Sequence, residues 1–225
     1  VLEGMANSPF VCGVDLGGPP NLVMYLINGA PFAEPQGAEL ARRVGDYRSD
    51  DGKKLLADRS PATHPERIGK PILIEQGKND PRVAWSDTLE LAQAVKSHRV
   101  AVTYAVYPDE GAGLSRLPNV LSFAAVTEAF LGQCLGGPSE PFGNELAASS
   151  ITVPVGADHV PGLREALGPE RVEPLAPPPP PAPPAPATPA GASDAGALSL
   201  TDAAVAASKA EADSGARNER HDGGK

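Results

Sequence analysis

Cysteine is scarce in this 225-residue chain: only Cys12 and Cys134 occur, far apart and each among apolar neighbours. Free cysteine behaves as a small hydrophobe, so both are expected as buried free thiols, and a disulfide or metal framework has no support. Basic charge is also short. Nineteen Lys and Arg face 28 Asp and Glu, for a formal net charge of -9 and a pI near 4.9. No basic cluster is dense enough to attract a phosphate backbone or an anionic membrane, so neither nucleic acid nor membrane is an expected partner. No stretch approaches about 18 consecutive apolar residues, so no ordinary transmembrane helix is expected. Val1-Leu2-Glu3-Gly4 has neither a basic start nor a long apolar run. It does not read as a signal peptide, and a cytoplasmic location is the expectation. The chain opens on Val rather than Met, inside a helix-like segment, which points to a fragment.

What is present falls into three regions. Residues 1–137 have globular composition. Phe10 to Leu16 and Pro71 to Glu75 read as buried strands, and the β-branched run Val100 to Tyr107 as a third. Asn21 to Asn28 and Glu39 to Val44 are weakly helical. Val83 to Lys96 mixes apolar and polar residues as an amphipathic helix does. A last helix runs from about Asn119 to Leu135 and stops at Gly136-Gly137-Pro138. Strands alternating with helices predict an α/β fold, with a parallel sheet flanked by helices and loops gathered along one edge. Three strands are few, and one flank of the sheet is expected to be unpaired and apolar. Residues 138–173 form an irregular extension, in which Ile151 to Val155 offers a short extended piece. From residue 174 the chain is Pro/Ala-rich. Ten of the sixteen residues from Pro174 to Pro189 are proline, and a disordered, partly polyproline-II tail is expected.

Two segments carry chemistry. Gln76-Gly77-Lys78-Asn79-Asp80-Pro81-Arg82-Val83 follows the second strand, and Asp109-Glu110-Gly111-Ala112-Gly113 follows the third. Taken alone, Asp80 reads as an N-cap or turn residue. Together, however, the two segments resemble the acid and base loops of the prolyl oligopeptidase family of serine peptidases, in the branch of acylaminoacyl-peptidases and dipeptidyl-peptidases. The resemblance covers roughly residues 1–150. It is supported by Cys12-Gly13-Val14-Asp15, Gly18-Pro19-Pro20-Asn21-Leu22, Arg43-Val44-Gly45-Asp46 and Phe130 to Gly137.

The resemblance implies a partial α/β-hydrolase fold, a short peptide as substrate and acyl transfer through serine, with no cofactor. It makes Asp80 the triad acid and puts Ala112 where the family has its histidine. It also makes Arg82 a cleft residue that holds a substrate carbonyl, a task suited to the fixed donors of a guanidinium. On its residue type alone, Arg82 is equally a solvated surface arginine.

Two parts of a Ser-His-Asp mechanism are then missing. A methyl group at Ala112 takes no proton. No Gly-x-Ser-x-Gly elbow occurs in the chain, and in relatives it would lie just ahead of the segment that Val1 to Met5 resembles. Ser8, Ser60, Ser86 and Ser115 lack elbow context. His64 reads as structural, His98 as a helix-end residue, and His159 and His221 lie beyond the globular region. The resulting expectation is a serine peptidase by lineage that is inactive as written. The alternative is a binding or assembly module, with a protein partner at the proline-rich tail or the unpaired sheet edge.

Overall fold

The computed structural model describes residues 9–33 and 37–172. The expected tail from residue 174 lies outside them. Four strands form one sheet in the order β1 (Gly13–Leu16), β2 (Ile72–Gly77), β3 (Val102–Tyr107) and β4 (Thr152–Val155). β1, β2 and β3 are parallel, and β4 runs antiparallel to β3. The sheet is therefore mixed. The first three strands follow the expected parallel order, and the extended piece after Ile151 becomes the fourth. Pro154 can stand in β4 because that strand pairs on one side only among the described residues.

β2 and β3 are buried along their whole lengths, which is why their sequences run apolar instead of alternating. One face carries Ile72, Ile74, Val102, Tyr104 and Val106 against Leu89, Ala92 and Val95 of α4 (Trp85–Ser97). The other carries Leu73, Ala105 and Tyr107 under Phe123, Val126 and Phe130 of α5 (Leu117–Leu135). Ile151, Val153 and Leu163 of the extension complete that second core. The extension is thus ordered where its sequence shows no periodicity, with β4 and a short helix at Leu163–Leu167.

Two helices are seen at α1 (Leu22–Ala33) and α2 (Gly37–Val44). A third, α3 (Asp50–Asp58), is capped by Ser49, whose Oγ accepts from Gly52 N at 3.1 Å. Its sequence gave little helical signal because it buries only Gly52 and Leu56. α5 ends at Gly136, whose φ of 73° is the left-handed C-terminal turn expected there.

One expectation is overturned. Cys12 and Cys134 are not free thiols but form a disulfide across a separation of 122 residues, with their Cα atoms 6.4 Å apart. α5 runs back along the sheet and brings its last turn beside the start of β1. Both residues are half-buried against the same core, and their Cα separation lies inside the range a disulfide spans. Apolar neighbours mark a buried cysteine but say nothing about what packs beside it.

Candidate active site

The parallel strands β2 and β3 deliver two loops to the same sheet end, as open α/β sheets do with their functional loops. The first begins at Gly77. Its buried neighbour Gln76 donates from Nε2 to Gly77 O (3.0 Å) and Val83 O (3.3 Å), and accepts from Thr88 Oγ1 (3.2 Å). One side chain thereby holds both ends of the loop and the first turns of α4. Within it, Asp80 Oδ1 accepts from Arg82 N (2.8 Å) and Val83 N (3.1 Å). The aspartate does perform the turn task that its residue type suggests. It does so with one oxygen, and Oδ2 has no hydrogen-bond donor among the described residues.

Arg82 is exposed. Its guanidinium lies 6.0 Å from the centre of the Tyr25 ring, and its carbonyl accepts from Asn28 Nδ2 at 3.4 Å. Lys78 stacks similarly over Trp85, at 5.0 Å. Such cation–π contacts leave the outer guanidinium donors available.

The second loop leaves β3 at Tyr107 and is joined to the first by backbone. Lys78 N donates to Tyr107 O (3.0 Å) and Asn79 N to Glu110 O (2.9 Å), while Asn79 Nδ2 donates to Pro108 O (2.8 Å). The approach is close enough to require glycine. A Cβ on Gly77 would run into Gly111 O and come within 2.9 Å of Glu110 C and O. Past that junction, Ala112 is exposed, and Gly113 turns the chain with φ of 92°. The structure therefore brings the loops of Asp80 and Ala112 together.

Carboxylates crowd this sheet end. Glu110 is 2 % exposed and collects Ser115 N (3.1 Å), Ser115 Oγ (2.8 Å), Arg116 N (2.8 Å) and Asn119 Nδ2 (2.8 Å). Burial alone would raise its pKa, but these donors outweigh burial and lower it to about 2. Glu75, on β2, is 1 % exposed and its Oε1 has no partner. Burial, and after it the charges of Asp15, Asp80 and Glu110, push its pKa up to about 7. Asp15, next to the last residue of β1, is likewise raised, mainly by burial.

No histidine approaches this site among the described residues. His64 pairs with Asp58 (3.5 Å) and Glu66 (3.4 Å). His98 ends α4, at the opposite end of that helix from the acid loop. His159 lies beside Gly156, near Val102 at the start of β3. Ser60 Oγ is held between Leu56 O and Leu22 N, Ser86 bonds to Asp87, and Ser115 belongs to the Glu110 cluster. Ser8 and His221 lie outside the described residues. Gln76, Asn119 and Tyr25 escaped the sequence reading as supporting groups. For Gln76 and Asn119 the available signal was a polar residue set in an otherwise apolar strand or helix.

The model of the prolyl oligopeptidase family matches residues 4–138. The dipeptidyl aminopeptidase BIII of Pseudoxanthomonas mexicana is 49% identical over 168 residues, covering 74% of this chain and 24% of that protein. Dipeptidyl peptidase family member 6 of Caenorhabditis elegans is 39% identical over 134 residues, covering 59% of this chain and 18% of the relative. The chain thus spans less than a quarter of the length of either curated relative. A solved Mycobacterium tuberculosis puromycin-hydrolyzing peptidase superposes with a TM-score of 0.52 at 24% identity, covering 61% of this chain and 21% of the other. At that identity the likeness speaks for the fold alone, a partial α/β hydrolase.

Proposed function

We propose that this chain, which belongs to the prolyl oligopeptidase family, carries the acid and base loops of a serine-peptidase catalytic domain and does not itself turn over peptide bonds. The observation that supports the reading is the backbone junction between the loop of Asp80 and the loop of Ala112. In a serine peptidase the imidazole takes the serine proton and later returns it to the leaving amine, while the acid fixes its tautomer. An imidazole at position 112 would stand next to the loop of Asp80, whose Oδ2 has no hydrogen-bond donor among the described residues. Ala112 offers a methyl group there, and no Gly-x-Ser-x-Gly supplies a nucleophile.

By lineage the substrate is a short peptide, and Arg82 is the group suited to a backbone carbonyl of that peptide. Loss of serine or histidine costs on the order of a millionfold in turnover, and loss of both costs little more because they act as a unit. A fluorophosphonate probe tests the proposal. The unmodified chain and its Ala112→His variant should both stay unlabelled, and labelling of the unmodified chain at a single serine would overturn it.

A second reading, a binding module, is favoured by β1. Leu16, at the end of this strand, and Phe10 and Val11, which precede it, are exposed, and the strand pairs only with β2 among the described residues. A partner strand held there should be released by Leu16→Lys.

A further inference from the structure

Residues 111–113 are Gly, Ala and Gly, so the tip of the second loop has no side chain able to make a hydrogen bond. Its placement is delegated to its stem. Glu110 is the pivot: its carbonyl receives Asn79 N from the acid loop, and its carboxylate is gripped by Ser115, Arg116 and Asn119. Asn119, 1 % exposed in the first turn of α5, saturates its amide in one arrangement. Nδ2 donates to Glu110 Oε1 (2.8 Å) and Asp109 Oδ1 (3.0 Å), while Oδ1 accepts from Ser150 N (2.9 Å). Two carboxylates on one side and a backbone N–H on the other allow only that orientation of the amide. Ser150 Oγ then closes the ring with a hydrogen bond to Asp109 Oδ1, and Arg116 Nε pairs with Asp109 Oδ2 at 3.2 Å.

Ser150 belongs to the extension, past residue 138 where the family match ends. It is anchored between Ser149, whose Oγ donates to Leu146 O at 2.8 Å, and the fully buried Ile151 that leads into β4. Arg171 fastens the same turn by donating to Leu146 O (2.7 Å) and Ala147 O (3.3 Å). The extension therefore reaches the first turn of α5 and holds the two acids that stand immediately before Gly111, Asp109 directly and Glu110 through Asn119.

We propose that Asn119 and Ser150 are positioning residues, through which the extension straps the loop of residue 112 against the loop of Asp80. The role assigned to position 112 rests on the peptidase reading above; the strap itself does not. Ser150 is also the largest influence holding Asp109 below its usual carboxylate range, ahead of the opposing effect of burial and the help of Asn119.

Amide hydrogen exchange and an introduced imidazole test the two parts separately, both in the full chain. Exchange at Gly111 to Leu114 should be about tenfold or more faster in Ser150→Ala. It should return to the original rate in Ser150→Thr, with the exchange of β2 and β3 unaltered in both. Unaltered loop exchange, or faster exchange spread evenly over the sheet, overturns the strap.

In Ala112→His the new imidazole, followed by NMR, should titrate near about pH 7.5 to 8.5 beside Asp80, against about 6.5 for an unpaired one. Adding Ser150→Ala should bring it back towards 6.5, and Ser150→Thr should not. An imidazole that stays high in Ser150→Ala overturns the positioning role. An imidazole at about 6.5 in Ala112→His alone, with loop exchange still sensitive to Ser150, keeps the strap and overturns the reading of position 112.

Discussion

Glu75 and Glu110 lie at the same end of the sheet, one inside β2 and the other in the loop after β3, and both are almost fully buried. Glu110 is surrounded by donors from its own loop and from α5, and stays charged down to about pH 2. Glu75 is enclosed by strands whose backbone donors are already used in the sheet, and one of its oxygens has no partner. It titrates at about 7. A loop can fold its N–H groups around a carboxylate; a strand interior cannot. The charge that organises the site therefore sits in the loop, and the strand carries its acid as a liability.

Four measurements would sharpen or break that contrast. The largest effect is expected for Asn119→Asp, which keeps the shape but removes two donors to carboxylates and adds a third negative group. It should cost about 3 to 5 kcal/mol in urea unfolding at pH 7. A cost below about 1 kcal/mol would mean that Glu110 does not need α5.

Glu75→Leu comes next and has the opposite sign. Replacing a buried acid that leaves Oε1 without a partner by an apolar residue of similar volume should stabilise the chain by about 1 to 2 kcal/mol at pH 8, with the gain shrinking towards pH 5. A loss of stability at pH 8 would show that Glu75 is satisfied after all.

The third measurement is stability against pH. Glu110 has a depressed pKa, so its contribution is complete above its ordinary value near 4.5 and is lost as pH falls towards about 2. Glu75 has a raised pKa, so its contribution is present below about 4.5 and is lost as pH rises through about 7. Glu75→Gln should remove the decline between pH 4.5 and 7 and leave the acid-side loss in place. A decline that persists in Glu75→Gln assigns it to other groups.

The smallest effect is expected for Ala112→His, on an exposed loop tip. At about pH 9.5, above the range in which that imidazole titrates, it should change unfolding free energy by less than about 0.5 kcal/mol, and a larger change there would show that position 112 packs against something.

The same contrast explains what the sequence disclosed. The turns after β2 and β3 were legible because each is local: a buried strand, a glycine turn and the start of a helix lie within about a dozen consecutive residues. The roles expected of Asp80 and of position 112 came from the family resemblance, since Asp80 taken alone reads as a turn residue. The end of α5 was legible for the same reason, in Gly136. α3 was not, although Ser49-Asp50-Asp51 is a capping pattern, because its nine residues include a glycine and hold only Leu55, Leu56 and Ala57 as apolar side chains, adjacent to one another and too few for a repeat. The Cys12–Cys134 pair, the bond from Asn119 to Ser150 and the antiparallel entry of β4 join residues 31 to 122 positions apart. No local pattern encodes such partners. Glu75 was read as one more member of a buried strand, and its chemistry emerges only from what the strand fails to place beside it.

Gly77 and Ala112 carry a practical consequence for anyone handling this chain. Gly77 cannot gain even a methyl group without forcing two backbones apart, whereas Ala112 is exposed to solvent. Soluble yield, a sharp melting curve and a compact profile on a sizing column all report on positions like the first and are blind to the second. A flawless preparation is therefore no evidence of a competent enzyme, and only a reagent that reacts with the site can tell the two apart.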